Sequence, residues 1–311
     1  MPTHPLRQPA TLAAIEAATS AHRGAPWTVD GFTDLHDLAS HPAGILRGGG
    51  YAVFAKLLTG PDADAQAAAE LAGHALIRQR GGVATPRPVG AGALAVPGGT
   101  VLLLEAVAEV PPPARRARHW RLVGRALARL HRTRGEMFGL AGQDGYFGPL
   151  RQDNRPVHGD RWCDFFAGRR LLPHLRLAVD SGHLPAGVAA GVHDLVPRLG
   201  ELCGPEPAPT LLHGDAQANN LLTTGEEAVL IDACPYFGHP EVDLAQVDIF
   251  APVPGPVLDA YRAHAEVDEG FAGRRELWRL PAYLAVVTVD GASRFGRPFV
   301  GRIADAVARY R

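Results

Sequence analysis

The first third of the chain patterns as strands around one helix, and the remainder patterns as helices around one hairpin. Residues 1–20, MPTHPLRQPATLAAIEAATS, read as a helix after a proline-containing tail, with no apolar stretch of signal-peptide type. WTVDGF, residues 27–32, has strand character. AGILRGGGYAVFAKLL, residues 43–58, reads as two strands joined at Gly48, Gly49 and Gly50, since a glycine cluster supplies the backbone freedom a hairpin needs. DADAQAAAELAGHALIRQRG, residues 62–81, predicts a helix with acids in its first turn, arginines in its last and Gly81 as its stop. RPVGAGALAVPGGTVLLLEAV returns to strands, with PGG as the turn. Three consecutive prolines in EVPPPARRAR then place a lobe boundary near residue 110. Beyond it, HWRLVGRALARLHRTR is amphipathic, with Leu122, Ala126, Leu127 and Leu130 on one face. Further helices are expected at 162–182, 189–204, 257–265, 276–295 and 300–311. A short hairpin is expected between them, Leu221-Leu222 pairing with Val229-Leu230-Ile231 across the turn TTGEE.

Composition narrows this picture without changing it. At 311 residues and 46% apolar, the chain is long enough for two lobes with a substantial core. A net charge of -1, with no basic tail, gives no general attraction for nucleic acid or an anionic membrane. The longest apolar stretch, LPAYLAVVTV, is too short to span a bilayer. Cys163, Cys203 and Cys234 form an odd set without metal spacing, which fits reduced thiols and a cytoplasmic setting. One number stands out: of 31 Lys plus Arg, only residue 56 is lysine. Lysine presents a compact charge on a flexible stem and arginine a wide planar fork, so Lys56 is either drift in an arginine-biased chain, a snorkelling strand-edge residue, or a place where a fork would not serve.

The chemistry concentrates in HGDAQANN, residues 213–220, followed after the short hairpin by Asp232. Aspartate, four residues, asparagine, then a second aspartate beyond a hairpin is the layout of a kinase catalytic loop and its metal-binding acid. Asp215 would accept the proton of a substrate hydroxyl, and Asn220 and Asp232 offer hard oxygen ligands for Mg²⁺. HGD also occurs at 158–160, but Phe165 stands where the asparagine should be, so the tripeptide alone carries little. Lys56 ends a strand in the small lobe, where a kinase lysine reaches the α- and β-phosphates, and Glu70 on the next helix is its expected partner. Asp62 and Asp64 come earlier and read as first-turn helix acids. TVLLLEAV, residues 100–107, reads as the strand leading into the hinge, where backbone groups near Glu105 and Val107 would meet an adenine edge.

At this point the chain resembles the fructosamine 3-kinases, or ketoamine kinases, a branch of the aminoglycoside phosphotransferase and protein-kinase-like superfamily. The resemblance covers about residues 40 to 300. It rests on VFAK with Glu70, LLLEAV, LARLH with Phe138-Gly139, RQDN followed by WCDFF, LLHGDAQANN, IDACPYFGHPEVDLA and a late RFG. It implies an α+β, bilobal, protein-kinase-like fold: a small β-rich lobe with its hinge over residues 1–107, a larger helical catalytic and substrate lobe over 108–311, and an ATP cleft between. It implies ATP and Mg²⁺, with Asp215 as base, Asn220 and Asp232 as metal ligands and Lys56 with Glu70 as phosphate clamp. Gln152, Asn154, Trp162, Glu241 and Asp243 would stand around the substrate or support the catalytic loop, and His131 would pack beneath that loop. The implied acceptor is a hydroxyl of an amine-linked ketose on a small molecule or glycated amine, with a role in deglycation. Nucleic-acid and membrane partners are not expected. Other readings are a kinase of another amino sugar or aminoglycoside-like metabolite, and a nucleotide-binding pseudokinase without catalysis.

The chain departs from the family pattern in three places. The phosphate-covering loop, which in the family carries paired glycines, here reads DLASHPAG with Ser40-His41-Pro42 at its tip. Proline removes a backbone donor, which would weaken closure over a phosphate. The tyrosines usual before GH and after the late FG read Phe237 and Phe299, so two hydroxyls that would meet the substrate are missing.

Overall fold

A computed structural model describes residues 4–35 and 41–311. Five antiparallel strands form one sheet in the order β1-β2-β3-β5-β4. They are β1 (Gly31–Asp34), β2 (Ala43–Gly48), β3 (Tyr51–Leu58), β4 (Pro88–Val96) and β5 (Gly99–Glu105). Gly49 and Gly50 turn β2 into β3 with φ of 53° and 76°, the pair of positive angles that a tight hairpin with the right twist requires. The sheet begins later than the sequence pattern implies. Trp27 is a core plug instead of a strand residue, its indole N–H donating to the Gly48 carbonyl at 2.8 Å.

Alternation along the strands divides this lobe into two apolar layers. Val53, Ala55 and Leu57 of β3 and Val101 and Leu103 of β5 face one side, where they pack with Ile15 of α1 (Pro9–Arg23). Leu58, Leu102 and Leu104 face the other, where α2 (Ala63–Leu76) covers them with Ala63 and Ala67. Lys56 shares the parity of Leu58 and so points to the α2 side. Helix α2 runs on through a π-helical turn, Ile77–Gly81, and stops at Gly82 with φ of 63°, one residue beyond the expected Gly81.

The rest of the chain is mainly helical. It comprises α3 (Ala117–Leu130), α4 (Trp162–Phe165), α5 (Leu172–Asp180), α6 (Ala186–Leu195), α7 (Leu199–Leu202), α8 (Glu241–Gln246), α9 (Pro256–Arg262), α10 (Phe271–Asp290) and α11 (Arg297–Tyr310). A π-helical stretch, Phe166–Leu171, fuses α4 to α5. Three two-stranded pairs interrupt the helices: β6 (Gly145–Phe147) with β7 (Leu150–Gln152), β8 (Thr210–Leu211) with β11 (Phe237–Gly238), and β9 (Leu221–Thr223) with β10 (Ala228–Leu230). One large core holds them together, centred on Trp162, Phe165, Phe166 and Trp278.

The two parts meet along residues 106–111, where the Val110 N–H donates to the Thr223 carbonyl at 2.7 Å, and again where the Leu230 N–H donates to Ala84 at 2.9 Å. The three cysteines are buried free thiols. No helix among the described residues is long and apolar enough to cross a membrane.

Candidate active site

Strand parity delivers Lys56 to α2, and the ammonium is shared there. It donates to Glu70 Oε2 at 2.6 Å and to Asp232 Oδ1 at 2.7 Å. Asp232 follows β10 with φ of 51°, a left-handed conformation that is rare for a non-glycine residue and costly enough to mark a constrained site. Burial opposes the charge on Lys56, yet Asp232 and Glu70 together push its pKa above the ordinary lysine range. Burial would likewise raise Asp232, but the ammonium outweighs it and holds that carboxyl low. Burial, with the negative charge of Asp232 adding to it, pushes Glu70 up despite the same ammonium.

The loop 213–220 is fastened from below by α8. Asp243, wholly buried, accepts from the backbone N–H of His213 at 2.7 Å and of Gly214 at 3.0 Å, and pairs with His131 Nε2 at 3.0 Å. Gln246, one helical turn on, accepts from the Ala216 N–H at 3.0 Å. His213 Nδ1 accepts from the Asp215 N–H, which fixes the tautomer that donates from Nε2 to the Ile231 carbonyl. Gly214 is required here: φ is 86°, and a Cβ would lie 2.1 Å from the Cys234 carbonyl oxygen. Asp215 is thereby turned outward, half-buried, with Asn220 Nδ2 donating to its Oδ2 at 2.9 Å and to its carbonyl at 3.0 Å. Burial, with the negative charge of Asp232 adding to it, pushes the Asp215 carboxyl up to about 7.

Two adjoining cavities meet at these residues. A polar one of about 100 Å³ is lined by Lys56, Glu70, Asp215, Asn220 and Asp232. A more apolar one of about 210 Å³ shares Glu70, Asn220 and Asp232, and runs past Ile45, Phe54, Leu104 and Ile231 to Glu105 and Val107. At the hinge, the amides of Glu105 and Ala106 already donate to Arg87 and Ala52, and the Glu105 carboxylate accepts from the Tyr51 hydroxyl at 3.3 Å. The Val107 carbonyl accepts from the Glu109 N–H at 2.9 Å, which leaves the Val107 N–H as the donor facing the cleft's hinge edge. Among the described residues no cluster of three or more His, Cys, Asp or Glu side chains forms a metal cage. For a cation the cleft offers the Asp232 carboxylate and the Asn220 amide oxygen, Asn220 having turned its NH₂ toward Asp215. That donor set fits Mg²⁺, which keeps few protein ligands and completes its shell with phosphate and water.

Of the five residues expected around the substrate or in support of the catalytic loop, none lines either cleft cavity. Trp162 is a fully buried core side chain. Glu241 is buried in a pair with Arg274 at 2.6 Å and accepts from the Trp278 indole at 2.8 Å. Asp243 is the loop anchor. Asn154 accepts from Arg170 at 2.5 Å, and Gln152 meets His174 at 3.3 Å beside a separate small cavity of about 20 Å³. Of the five, Asp243 alone bonds the 213–220 loop. Phe237 and Phe299 are also core residues that line neither cleft cavity, so the missing hydroxyls are not losses from the cleft.

Sequence reasoning missed Gln143, Asp144 and Tyr146, which wall the polar cavity from just before and within β6, and Gln217, which lines the same cavity with Asp215. Of the Ser40-His41-Pro42 tip, Ser40 lies outside the described residues, and His41 lines the polar cavity.

The architecture and the cleft place the molecule in a known class. An aminoglycoside phosphotransferase solved in ternary complex with ADP and hygromycin B matches it with a TM-score of 0.63 at 17% identity, over 95% of this chain and 98% of that one, a likeness of fold alone. The fold is therefore protein-kinase-like. A Thermobifida fusca protein assigned as a fructosamine-3-kinase matches with a TM-score of 0.78 and 30% identity over 95% of this chain and 99% of that one. The fructosamine kinase family model matches residues 11–307, and the chain belongs to that family. A probable ketoamine kinase of Synechocystis sp. is 35% identical over 166 residues, 52% of this chain and 53% of that protein. One of Pasteurella multocida is 30% identical over 159 residues, 50% of this chain and 53% of that protein. These matches span about half the length of the curated relatives.

Proposed function

We propose that the chain is an ATP-dependent phosphotransferase acting on a hydroxyl of a ketoamine, an amine-linked ketose of fructosamine or ribulosamine type, with repair of glycated amines as the role this serves. The observation that carries the reading is the convergence on one cavity of Lys56, paired to both Glu70 and Asp232, with Asp215 and Asn220. In this reading residues 1–107 form the nucleotide lobe and 108–311 the catalytic lobe. The more apolar cavity takes the adenine against Leu104 and Ile231, with Val107 at its edge.

Lys56 holds the phosphates, and Glu70 holds Lys56. Asn220 and Asp232 would hold Mg²⁺, which when bound supplies charge neutralisation on the phosphates. Asp215 orients the acceptor hydroxyl and takes its proton as the oxygen bonds to the γ-phosphorus and ADP departs. A carboxyl pushed up to about 7 is a better proton acceptor than an ordinary aspartate, provided it is ionised when the acceptor arrives. Asp243, His131 and Gln246 keep the loop rigid, so that catalysis is chiefly positioning and charge neutralisation.

The test is ADP release with MgATP against a panel of fructosamines, ribulosamines, amino sugars and aminoglycosides. Ketoamines should be turned over best, and Asp215→Asn should lower that turnover by about 10²- to 10⁴-fold. Ketoamine turnover no better than background, beside turnover of another amino sugar, would replace the acceptor. No turnover of any acceptor would return the protein to a nucleotide-binding role without catalysis.

A further inference from the structure

The proline-bearing loop leaves a question that the nucleotide reading does not answer: what replaces the backbone donors that paired glycines would present to phosphate. Pro42 has no N–H to give, and its carbonyl is pinned by the Leu57 N–H at 2.8 Å. That bond fixes the chain immediately before β2. Ala43 stands opposite Lys56 in the β2–β3 register, so their side chains share a face of the sheet. In extended backbone, His41, two residues before Ala43, returns to that face. The cavity lining agrees, since His41 borders the same polar space as Lys56, Asp215, Asn220 and Asp232.

The imidazole is also chemically uncommitted. Its Nε2 is buried and has no hydrogen-bond partner in the protein, a costly state for a polar atom that binding of a ligand would relieve. Burial and the nearby Lys56 ammonium, partly offset by Asp232, hold its pKa below the ordinary histidine value, so at neutral pH it carries one N–H and one lone pair.

Resting on the nucleotide reading of the cleft, we propose that His41 is a phosphate-contacting residue, whose side-chain N–H donates to the terminal phosphates of a nucleoside triphosphate in place of the backbone donor that Pro42 cannot supply. A side chain then does from the tip of β2 what backbone amides do in a glycine-rich loop. The contact discriminates by phosphate number, because an adenosine moiety in the more apolar cavity lies among other residues.

Calorimetric titration of wild type, His41→Ala and His41→Gln with MgATP and with adenosine tests this, with thermal melts to confirm that each variant is folded. His41→Ala should weaken MgATP by about 10- to 100-fold, the worth of one hydrogen bond to a charged group, and leave adenosine unchanged. His41→Gln, which offers an N–H at a similar reach, should recover most of the loss. Equal MgATP affinity in wild type and His41→Ala, or a loss shared by adenosine, overturns the role of His41 and leaves the nucleotide reading standing. A wild type that binds neither compound overturns both.

Discussion

Lys56 shows how much one residue type can carry. Its ammonium meets two carboxylates from different elements at 2.6 and 2.7 Å, and its tetrahedral donors leave a third direction for phosphate. A planar guanidinium is wider and would have to displace α2 or the Asp232 turn. Lys56→Arg should therefore lower kcat/KM by about 100-fold, on the scale of losing one charge-stabilising donor, while the fold is kept. A near wild-type rate would show that only the charge matters. The residues legible in the sequence were those with both a telling type and a fixed spacing: Lys56, Glu70, Asp215, Asn220 and Asp232 meet as their order along the chain implies. Gln217, in a loop, and Tyr146, in a three-residue strand, have no periodicity to betray the face they line. Trp162 and Glu241 attracted attention through their motif, yet the motif belongs to the core behind the site.

Among the elements, α8 matters more than its length suggests. This helix, Glu241–Gln246, supplies Asp243 and Gln246 to the underside of the 213–220 loop. Asp243→Ala would leave two buried backbone donors and His131 without their acceptor, a loss of about 3–5 kcal/mol. Urea unfolding should show it as a lower midpoint with an unchanged slope. Wild-type stability in that variant would mean that the loop holds its own shape. The long helices and the β2–β3 hairpin were readable because amphipathic period and glycine placement act locally. The pair β8–β11 was not, since its two-residue strands form only where distant segments meet, and β6–β7, a local hairpin around Gly148-Pro149, lacks the apolar runs that mark β9 and β10. The π-helical turns that extend α2 and join α4 to α5 are likewise set by packing.

Across the whole molecule, buried ionisable groups set the response to acid. Burial lowers His74, His174 and His239 to about 3 each, so each stays neutral in the fold and would take a proton near 6.5 once unfolded. The unfolded chain binds those protons first, and the stability they contribute, complete above about pH 6.5, is lost as pH falls toward 3. Glu70 and Asp215, both raised to about 7, act in the opposite sense between pH 7 and 4, because the folded form protonates first. The stability cost of His174→Gln, measured by denaturant unfolding, should accordingly shrink by about 1.4 kcal/mol for each unit below pH 6. A cost independent of pH would mean that His174 is protonated in the fold.

In the proposed reading, both lobes address one triphosphate from opposite walls of the cleft. A crystal structure with Mg²⁺ and a non-hydrolysable ATP analogue measures it most directly. The account predicts phosphate oxygens within hydrogen-bond reach of Lys56 Nζ, metal density on Asn220 and Asp232, and an open approach from Asp215 to the γ-phosphorus. Nucleotide bound away from residues 56, 215, 220 and 232, or metal held by other side chains, would contradict it.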